Sequence, residues 1–188
     1  MTYFLMILLA AGIVAADQFT KYLTVMHIAP VAQGSAELTE LYWGRLSQVY
    51  RFDLSMYDDL PHKIDVIPNV FSLRHIHNDG GAWGIFDGAM WLFALIFVLF
   101  AIGIIWEFSK KRMPFTTFER FCIVAVFAGG LGNMIDRLRL GFVVDMISAE
   151  FINFPIFNVA DCFITCGCIA LLVHLVFFNK KFWKEEKK

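Results

Sequence analysis

Three aspartates lie beside or inside apolar stretches of the chain: Asp136, Asp145 and Asp161. An ionised carboxylate is costly among apolar residues, and although any one of the three could simply cap a helix, three together need another explanation. Asn133 precedes Asp136 by three residues, and Asn158 precedes Asp161 by the same interval. This spacing puts each amide on the same helix face as its acid.

Carboxylates that share a partly dehydrated pocket cannot easily both ionise, so one of them holds a proton. Such a pair can take a proton from water while its protonated member polarises a carbonyl, as in the aspartic proteases. Hydrolysis is therefore one chemistry open to these residues. Acids at a membrane can also mark an ion pathway or hold Mg²⁺, so a small proton-coupled transporter and a metal-dependent lipid phosphotransferase stay open as alternatives.

Other catalytic signatures are missing from the sequence. It contains no Gly-x-Ser-x-Gly turn, no His-Glu-x-x-His helix and no Gly-Lys-Ser/Thr phosphate loop. His75 and His77 share one face of a predicted strand and could bind a metal, but the sequence offers no third ligand, and we interpret them as an ordinary surface pair. No metal and no cofactor are therefore expected.

The elements that must position the aspartates are membrane helices. Of the 188 residues, 59% are hydrophobic and 18% are charged, and the apolar residues lie in long runs nearly free of charge. These runs predict transmembrane helices at about residues 3–22, 88–107, 121–137 and 161–178. The predicted fold is a mostly α membrane protein, a four-transmembrane-helix bundle that forms a single membrane domain over residues 1–188. No basic arm or stripe indicates nucleic acid.

The segment from residue 27 to 80 differs in composition from the apolar runs. It is polar, holds three of the five prolines, and shows the alternation of strands at residues 47–54 and 70–77. It therefore predicts a small extramembrane β-rich cradle inserted between the first and second helices. The turn-rich residues 78–84 follow it, and their glycines allow a close approach of the backbone to another group.

The distribution of positive charge predicts the topology. Nine of the sixteen Lys and Arg fall between residues 110 and 120 or after residue 179, so both of these regions, and with them both termini, are expected on the cytoplasmic side. Four spans then bring the polar residues near the helix ends to the outer face. These residues are Asp17, Asn78, Asn133, Asp136, Asp145, Asn158 and Asp161.

Four motifs occur in order along the chain. They are Asp17-Gln18-Phe19-Thr20-Lys21, residues 78–84 (NDGGAWG), residues 132–137 (GNMIDR) continuing to 141–145 (GFVVD), and residues 157–161 (FNVAD). With these motifs the sequence resembles the lipoprotein signal peptidases, the bacterial signal peptidase II enzymes, over nearly all its length.

The resemblance implies an intramembrane aspartic endopeptidase that removes the signal peptide from diacylglyceryl-modified prolipoproteins just before the lipidated cysteine. It implies that Asp145 and Asp161 are the catalytic dyad. Supporting or substrate-binding roles are implied for Asp17, Lys21, Asn78, Gly80, Asn133, Asp136, Arg137 and Asn158. The expected partners are a prolipoprotein and membrane lipids, the expected location is the cytoplasmic membrane with the active site at its outer, periplasmic face, and a monomer is expected.

Overall fold

The computed structural model of the chain describes residues 1–28, 63–81, 89–110 and 113–185. The helices in this part are α1 (Thr2–His27), α2 (Met90–Lys110), α3 (Thr117–Leu140), α4 (Val159–Phe177) and the short α5 (Phe182–Glu185). The strands are β1 (Ile64–Ile67), β2 (Phe71–Asn78) and β3 (Val143–Ala149), which form one antiparallel sheet.

Within the described ranges, α1 to α4 are each long and apolar enough to cross a membrane. The shortest of them, α4, has 19 residues and so extends about 28 Å, close to the thickness of a bilayer core. The predicted fold class is thus confirmed. α1 continues to His27 and α3 begins at Thr117, beyond the predicted spans, because helical hydrogen bonding continues into polar residues whereas an apolar run marks only the hydrocarbon layer.

The chain divides into two compact units. The first contains residues 1–17, 91–135 and 159–188, and the second contains residues 18–90 and 136–158. In the first unit, glycines let α3 and α4 pack closely. A Cβ on Gly129 would lie 2.5 Å from the carbonyl oxygen of Ala160, and one on Gly167 would lie 2.8 Å from Val126 Cγ2. Such small residues allow membrane helices to meet backbone to backbone.

A buried carboxylate joins the beginning of α3 to the residues that follow α4. Glu119 has no exposed surface, and its Oε2 accepts hydrogen bonds from the backbone N–H of Thr116 at 2.6 Å and from Asn179 Nδ2 at 2.8 Å. Its Oε1 lies 2.8 Å from His174 Nδ1. These contacts satisfy a charge that would otherwise be costly to bury, and they fix the end of α4 against the start of α3.

The second unit contains the sheet, whose strand order is β1-β2-β3. β2 agrees with the strand predicted at residues 70–77, whereas the one predicted at 47–54 lies outside the described residues. β3 is not predicted by the sequence, and it brings a third strand from the connection between α3 and α4. Val144 and Met146 of this strand pack with Val25 of α1 in a small core.

The interpretation of His75 and His77 as a surface pair is wrong. Each side chain is only 6% exposed, and the two rings meet edge to face with their centroids 5.2 Å apart. Burial lowers the pKa of His75 to about 3 and the pKa of His77 to about 4, because water no longer stabilises the charged imidazole. Both rings are therefore neutral at physiological pH.

Candidate active site

Asp145 lies in the middle of β3, opposite Ile76 of β2, and is 2% exposed. Two asparagine amides hold its carboxylate: Asn158 Nδ2 donates to Oδ1 at 2.6 Å, and Asn78 Nδ2 donates to Oδ2 at 2.8 Å. Because an amide nitrogen can only donate, each bond requires an acceptor oxygen and so fixes the plane of the carboxylate. Asp145 is thus held at both oxygens in one orientation.

The turn after β2 positions Asn78. The backbone N–H of Gly80 donates to Asn78 Oδ1 at 3.0 Å, which orients the amide so that its nitrogen faces Asp145. The carbonyl oxygen of Gly80 accepts a 2.7 Å hydrogen bond from Arg137 Nη2. Both polar groups of Gly80 are therefore used, one by Asn78 and the other by Arg137.

Asp161 lies in the first turn of α4 and is partly exposed. Asn133 Nδ2, on α3, donates to its Oδ1 at 2.7 Å. A carboxylate at this end of a helix is also favoured by the helix dipole. Asn158, three residues before Asp161, donates to Asp145, and Asn133 donates to Asp161.

Asp17 supports the beginning of α4. Its fully buried side chain accepts a 2.9 Å hydrogen bond from the backbone N–H of Ala160, one of the amides that the first turn of a helix leaves without a helical partner. A Cβ on Gly132 would lie 2.5 Å from Asp17 Oδ2, so glycine leaves room for this carboxylate. Asp17 therefore fixes the residue that directly precedes Asp161.

Asp136 binds three groups at once. Its Oδ2 lies 2.9 Å from Lys21 Nζ and accepts the backbone N–H of Val144 at 3.2 Å, while Oδ1 accepts Gln18 Nε2 at 2.9 Å. The ion pair with Lys21 is almost completely buried. Since Val144 precedes Asp145, this cluster fixes the backbone of β3 beside the candidate catalytic carboxylate.

Every predicted site residue is described, and in each unit several of them meet. The first unit contains Asp17, Asn133 and Asp161, and the second contains Lys21, Asn78, Gly80, Asp136, Arg137, Asp145 and Asn158. Gln18 is a contributor that the sequence does not predict, although its three-residue spacing from Lys21 on α1 is a usable signal. Among the described residues, no three His, Cys, Asp or Glu side chains lie close enough together to hold a metal ion.

Four membrane-length helices, a small antiparallel sheet and, in each unit, an aspartate held by an asparagine amide agree with one class of protein, a membrane-embedded peptidase of the aspartic type. Comparison with known proteins agrees with this class. The sequence profile described as "Signal peptidase (SPase) II" matches residues 9–177. The chain belongs to the signal peptidase II family and is a peptidase with signal peptidase II function.

Individual relatives cover most of the chain. A lipoprotein signal peptidase of Streptococcus agalactiae serotype V is 39% identical over 141 residues, which cover 75% of this chain and 86% of the relative. One of Enterococcus faecalis is 35% identical over 180 residues, with coverage of 96% and 92%. The resemblance seen in the motifs is confirmed, and neither the transporter nor the phosphotransferase is favoured.

A solved structure shares the fold. A bacterial membrane enzyme determined by the in meso method at 2.3 Å resolution is 30% identical, with a TM-score of 0.69, and the match covers 94% of this chain and 90% of that one. Together with the four apolar helices, the family identifies a multi-pass bacterial membrane protein.

Proposed function

We propose that Asp145 and Asp161 form the catalytic dyad and that the enzyme cleaves prolipoproteins just before a cysteine bearing a diacylglyceryl group. The observation that carries this proposal is that asparagine amides hold both carboxylates, two on Asp145 at 2.6 and 2.8 Å and one on Asp161 at 2.7 Å. Fixed donors of this kind orient the oxygens that must receive and deliver protons.

The two aspartates differ in a way that suits a dyad. Asp145 is almost completely buried, whereas Asp161 is partly exposed at the first turn of its helix. In a shared site two carboxylates hold one proton between them, and the titration belongs to the pair. Asp161 is then the carboxylate that water can reach, and Asp145 is the partner whose orientation is fixed.

The reaction consumes one water and needs no covalent enzyme intermediate. The ionised aspartate takes a proton from water as the water oxygen bonds to the scissile carbonyl carbon, while the protonated aspartate gives its proton to the carbonyl oxygen. The tetrahedral intermediate collapses when the C–N bond breaks. The amine of the lipidated cysteine receives a proton from the aspartate that took it from water, and the hydroxyl group formed from the carbonyl oxygen returns its proton to the other aspartate. The products are the carboxyl end of the signal peptide and a free amino terminus, and the dyad again holds one proton.

The remaining site residues support this step through the dyad. Asp17 fixes the backbone before Asp161, and Asp136 with Lys21 fixes the backbone before Asp145. Arg137 acts through the carbonyl of Gly80. We assign substrate contact to the turn that contains Gly80, because a backbone without side chains allows a peptide to approach closely.

The location of the substrate follows from the charge distribution. Asp161 lies in the first turn of α4, and Lys180 lies three residues after Phe177, the last residue of that helix. The aspartate and the lysine therefore mark opposite membrane boundaries. We place the lysine end and both termini in the cytoplasm and the aspartates at the outer, periplasmic face of the cytoplasmic membrane. The diacylglyceryl chains of the precursor then remain among the membrane lipids. A monomer of the enzyme suffices, because one polypeptide supplies both aspartates.

Cleavage of a defined precursor by the purified enzyme in detergent tests the proposal. We expect a diacylglyceryl-modified prolipoprotein to be cut and the unmodified precursor to remain intact. Asp145→Asn and Asp161→Asn should each lower kcat by about 10²–10⁴-fold, since each removes a proton-transfer group. Mass spectrometry of the product should place the cut directly before the modified cysteine.

A matched control is available on β1. Asp65 is an exposed aspartate of the same extramembrane sheet, 3.0 Å from Lys63, and Asp65→Asn should leave kcat unchanged. Wild-type turnover by a folded Asp145→Asn or Asp161→Asn variant would remove the dyad assignment. Equal cleavage of both precursors would remove the proposed requirement for the lipid.

A further inference from the structure

We propose that His77 is a positioning residue for the dyad: its ring, stacked on Phe142, fixes the end of β2 so that Asn78 can hold Asp145. The inference rests on the proposed catalytic role of Asp145. His77 lies outside the four motifs that identify the family, and it touches neither aspartate in any contact described above. Its effect would be transmitted through Asn78, the next residue along the strand.

The pairing of β2 with β3 shows why this end of the strand needs an additional contact. The register shifts between Leu73 and Ile76, and the irregularity leaves a short ladder beyond it. The residue pairs of that ladder are Ile76–Asp145, His77–Val144 and Asn78–Val143. So short an antiparallel ladder is a weak constraint by itself. Any shift of its β2 side would carry the amide of Asn78 away from Asp145 Oδ2, which it meets at 2.8 Å.

The stack supplies that contact from the residue adjoining β3. The rings of His77 and Phe142 lie with their centroids 3.6 Å apart and their planes 18° from parallel. Phe142 directly precedes Val143, the first residue of β3. The two rings therefore link the strands beside the Asn78–Val143 pair, where side-chain contacts across strands contribute to sheet stability.

The environment of His77 indicates that the ring acts by packing. The side chain is 6% exposed, and its Nε2 is buried with no hydrogen-bond partner among the described residues. A buried polar atom without a partner is destabilising, so histidine at this position is costly compared with an apolar ring of similar shape. Phenylalanine should therefore preserve the stack and remove that cost.

Steady-state cleavage of the diacylglyceryl-modified precursor by full-length variants tests the inference. We expect His77→Ala to lower kcat by about 10- to 100-fold with KM within about twofold, because the dyad is displaced and substrate docking is not. His77→Phe should restore kcat to within about threefold of wild type and raise the temperature of thermal unfolding. Adding Asn78→Ala to His77→Ala should lower kcat little further, since both act through one contact.

His75→Ala is the matched control. His75 is as buried as His77 and meets it edge to face, but it lies at the register shift, before the ladder that contains Asn78. This variant should keep kcat within about threefold of wild type. If His77→Ala does not fold, Phe142→Leu takes its place, because it removes one ring of the stack and keeps an apolar side chain.

The possible outcomes separate this inference from the proposed function. Loss of kcat in His77→Phe equal to that in His77→Ala would overturn it, since an imidazole nitrogen would then be required. Wild-type kcat in His77→Ala, or an equal loss in His75→Ala, would overturn it as well. Asp145→Asn is measured in parallel: if that variant is inactive, a failure concerns His77 alone, whereas an active Asp145→Asn removes the proposed dyad itself.

Discussion

Replacing Gly129 by alanine tests whether the close contact of α3 and α4 sets the position of Asp161. A Cβ at residue 129 would lie 2.5 Å from the carbonyl oxygen of Ala160 and 2.8 Å from Ile164 Cγ1. Ala160 directly precedes Asp161, and its backbone oxygen cannot turn aside as a flexible side chain could. The substitution must therefore move the first turn of α4 or the facing turn of α3.

The required movement can be estimated from these distances. Ordinary contact begins at 3.4 Å, so the backbone at Ala160 must shift by about 0.9 Å. A misplacement of about 1 Å can lower a catalytic rate by about 100-fold. Overpacking costs about 1–3 kcal/mol, and the higher helix propensity of alanine offsets about 1 kcal/mol of this. We therefore expect a fall in kcat approaching 100-fold with a loss of stability of at most about 2 kcal/mol.

Two other glycines in membrane helices serve as controls. A Cβ on Gly12 or Gly103 would meet no atom within 4 Å. Alanine at either position should therefore leave kcat unchanged and the temperature of thermal unfolding equal or higher. The assay is cleavage of the modified precursor in detergent, with thermal unfolding measured on the same samples. Wild-type kcat in a stably folded Gly129→Ala variant would show that the contact at Ala160 does not position Asp161.

Three further predictions concern the held carboxylate, the buried histidines and the buried glutamate. Asn158→Leu should lower kcat about 10- to 100-fold, because Asp145 loses a 2.6 Å bond of a kind that contributes about 1.5–3 kcal/mol, and an effect confined to KM in the cleavage assay would contradict this. Stability should fall as the pH drops below about 6.5, because burial lowers the pKa of His75 to about 3 and of His77 to about 4, so the unfolded chain binds more protons. The free energy of unfolding should change by about 1.4 kcal/mol per pH unit for each histidine. Thermal unfolding at about pH 4.5–6.5 should therefore depend less steeply on pH when both histidines are replaced by phenylalanine. An equal pH dependence in the two proteins would contradict this prediction. Glu119→Ala should destabilise the fold by about 1–3 kcal/mol in thermal unfolding, because the buried donors of Thr116 and Asn179 lose their acceptor, and wild-type stability would show that the cluster contributes little.

The helices could be predicted because the bilayer imposes one requirement on all of them, a long apolar run. Strand β3 could not be predicted in this way. Six of its seven residues are buried, so Val143–Ala149 lacks the alternation that marks a strand with one exposed face. The strand that it pairs with is β2, far away in the sequence, and the local pattern contains no information about that pairing. The acid in its centre makes the stretch look like part of a polar connection.

The types of the site residues could be predicted, but several partners could not. Spacing shows which side chains share a helix face and leaves open what faces them. Spacing does not predict, for example, that Asn158 donates to Asp145. Spacing likewise does not predict the buried pair of Lys21 with Asp136, more than a hundred residues away. Such choices depend on helix rotation and tertiary packing, which a single sequence does not specify.

The division of roles along α3 has a consequence for mutagenesis of the whole site. Asn133, Asp136 and Arg137 lie within five residues of one another, but they bind different partners: Asp161, the backbone of Val144 and the carbonyl of Gly80. Asn133 therefore acts on the aspartate of α4, whereas the other two act on the strand and turn that hold the aspartate of β3. Variants that remove the two partners of one hydrogen bond, such as Asn133 and Asp161, should show non-additive losses of activity when they are combined. Helix position alone would group all three together, so the pattern of coupling among these variants distinguishes the observed contacts from a generic polar cluster.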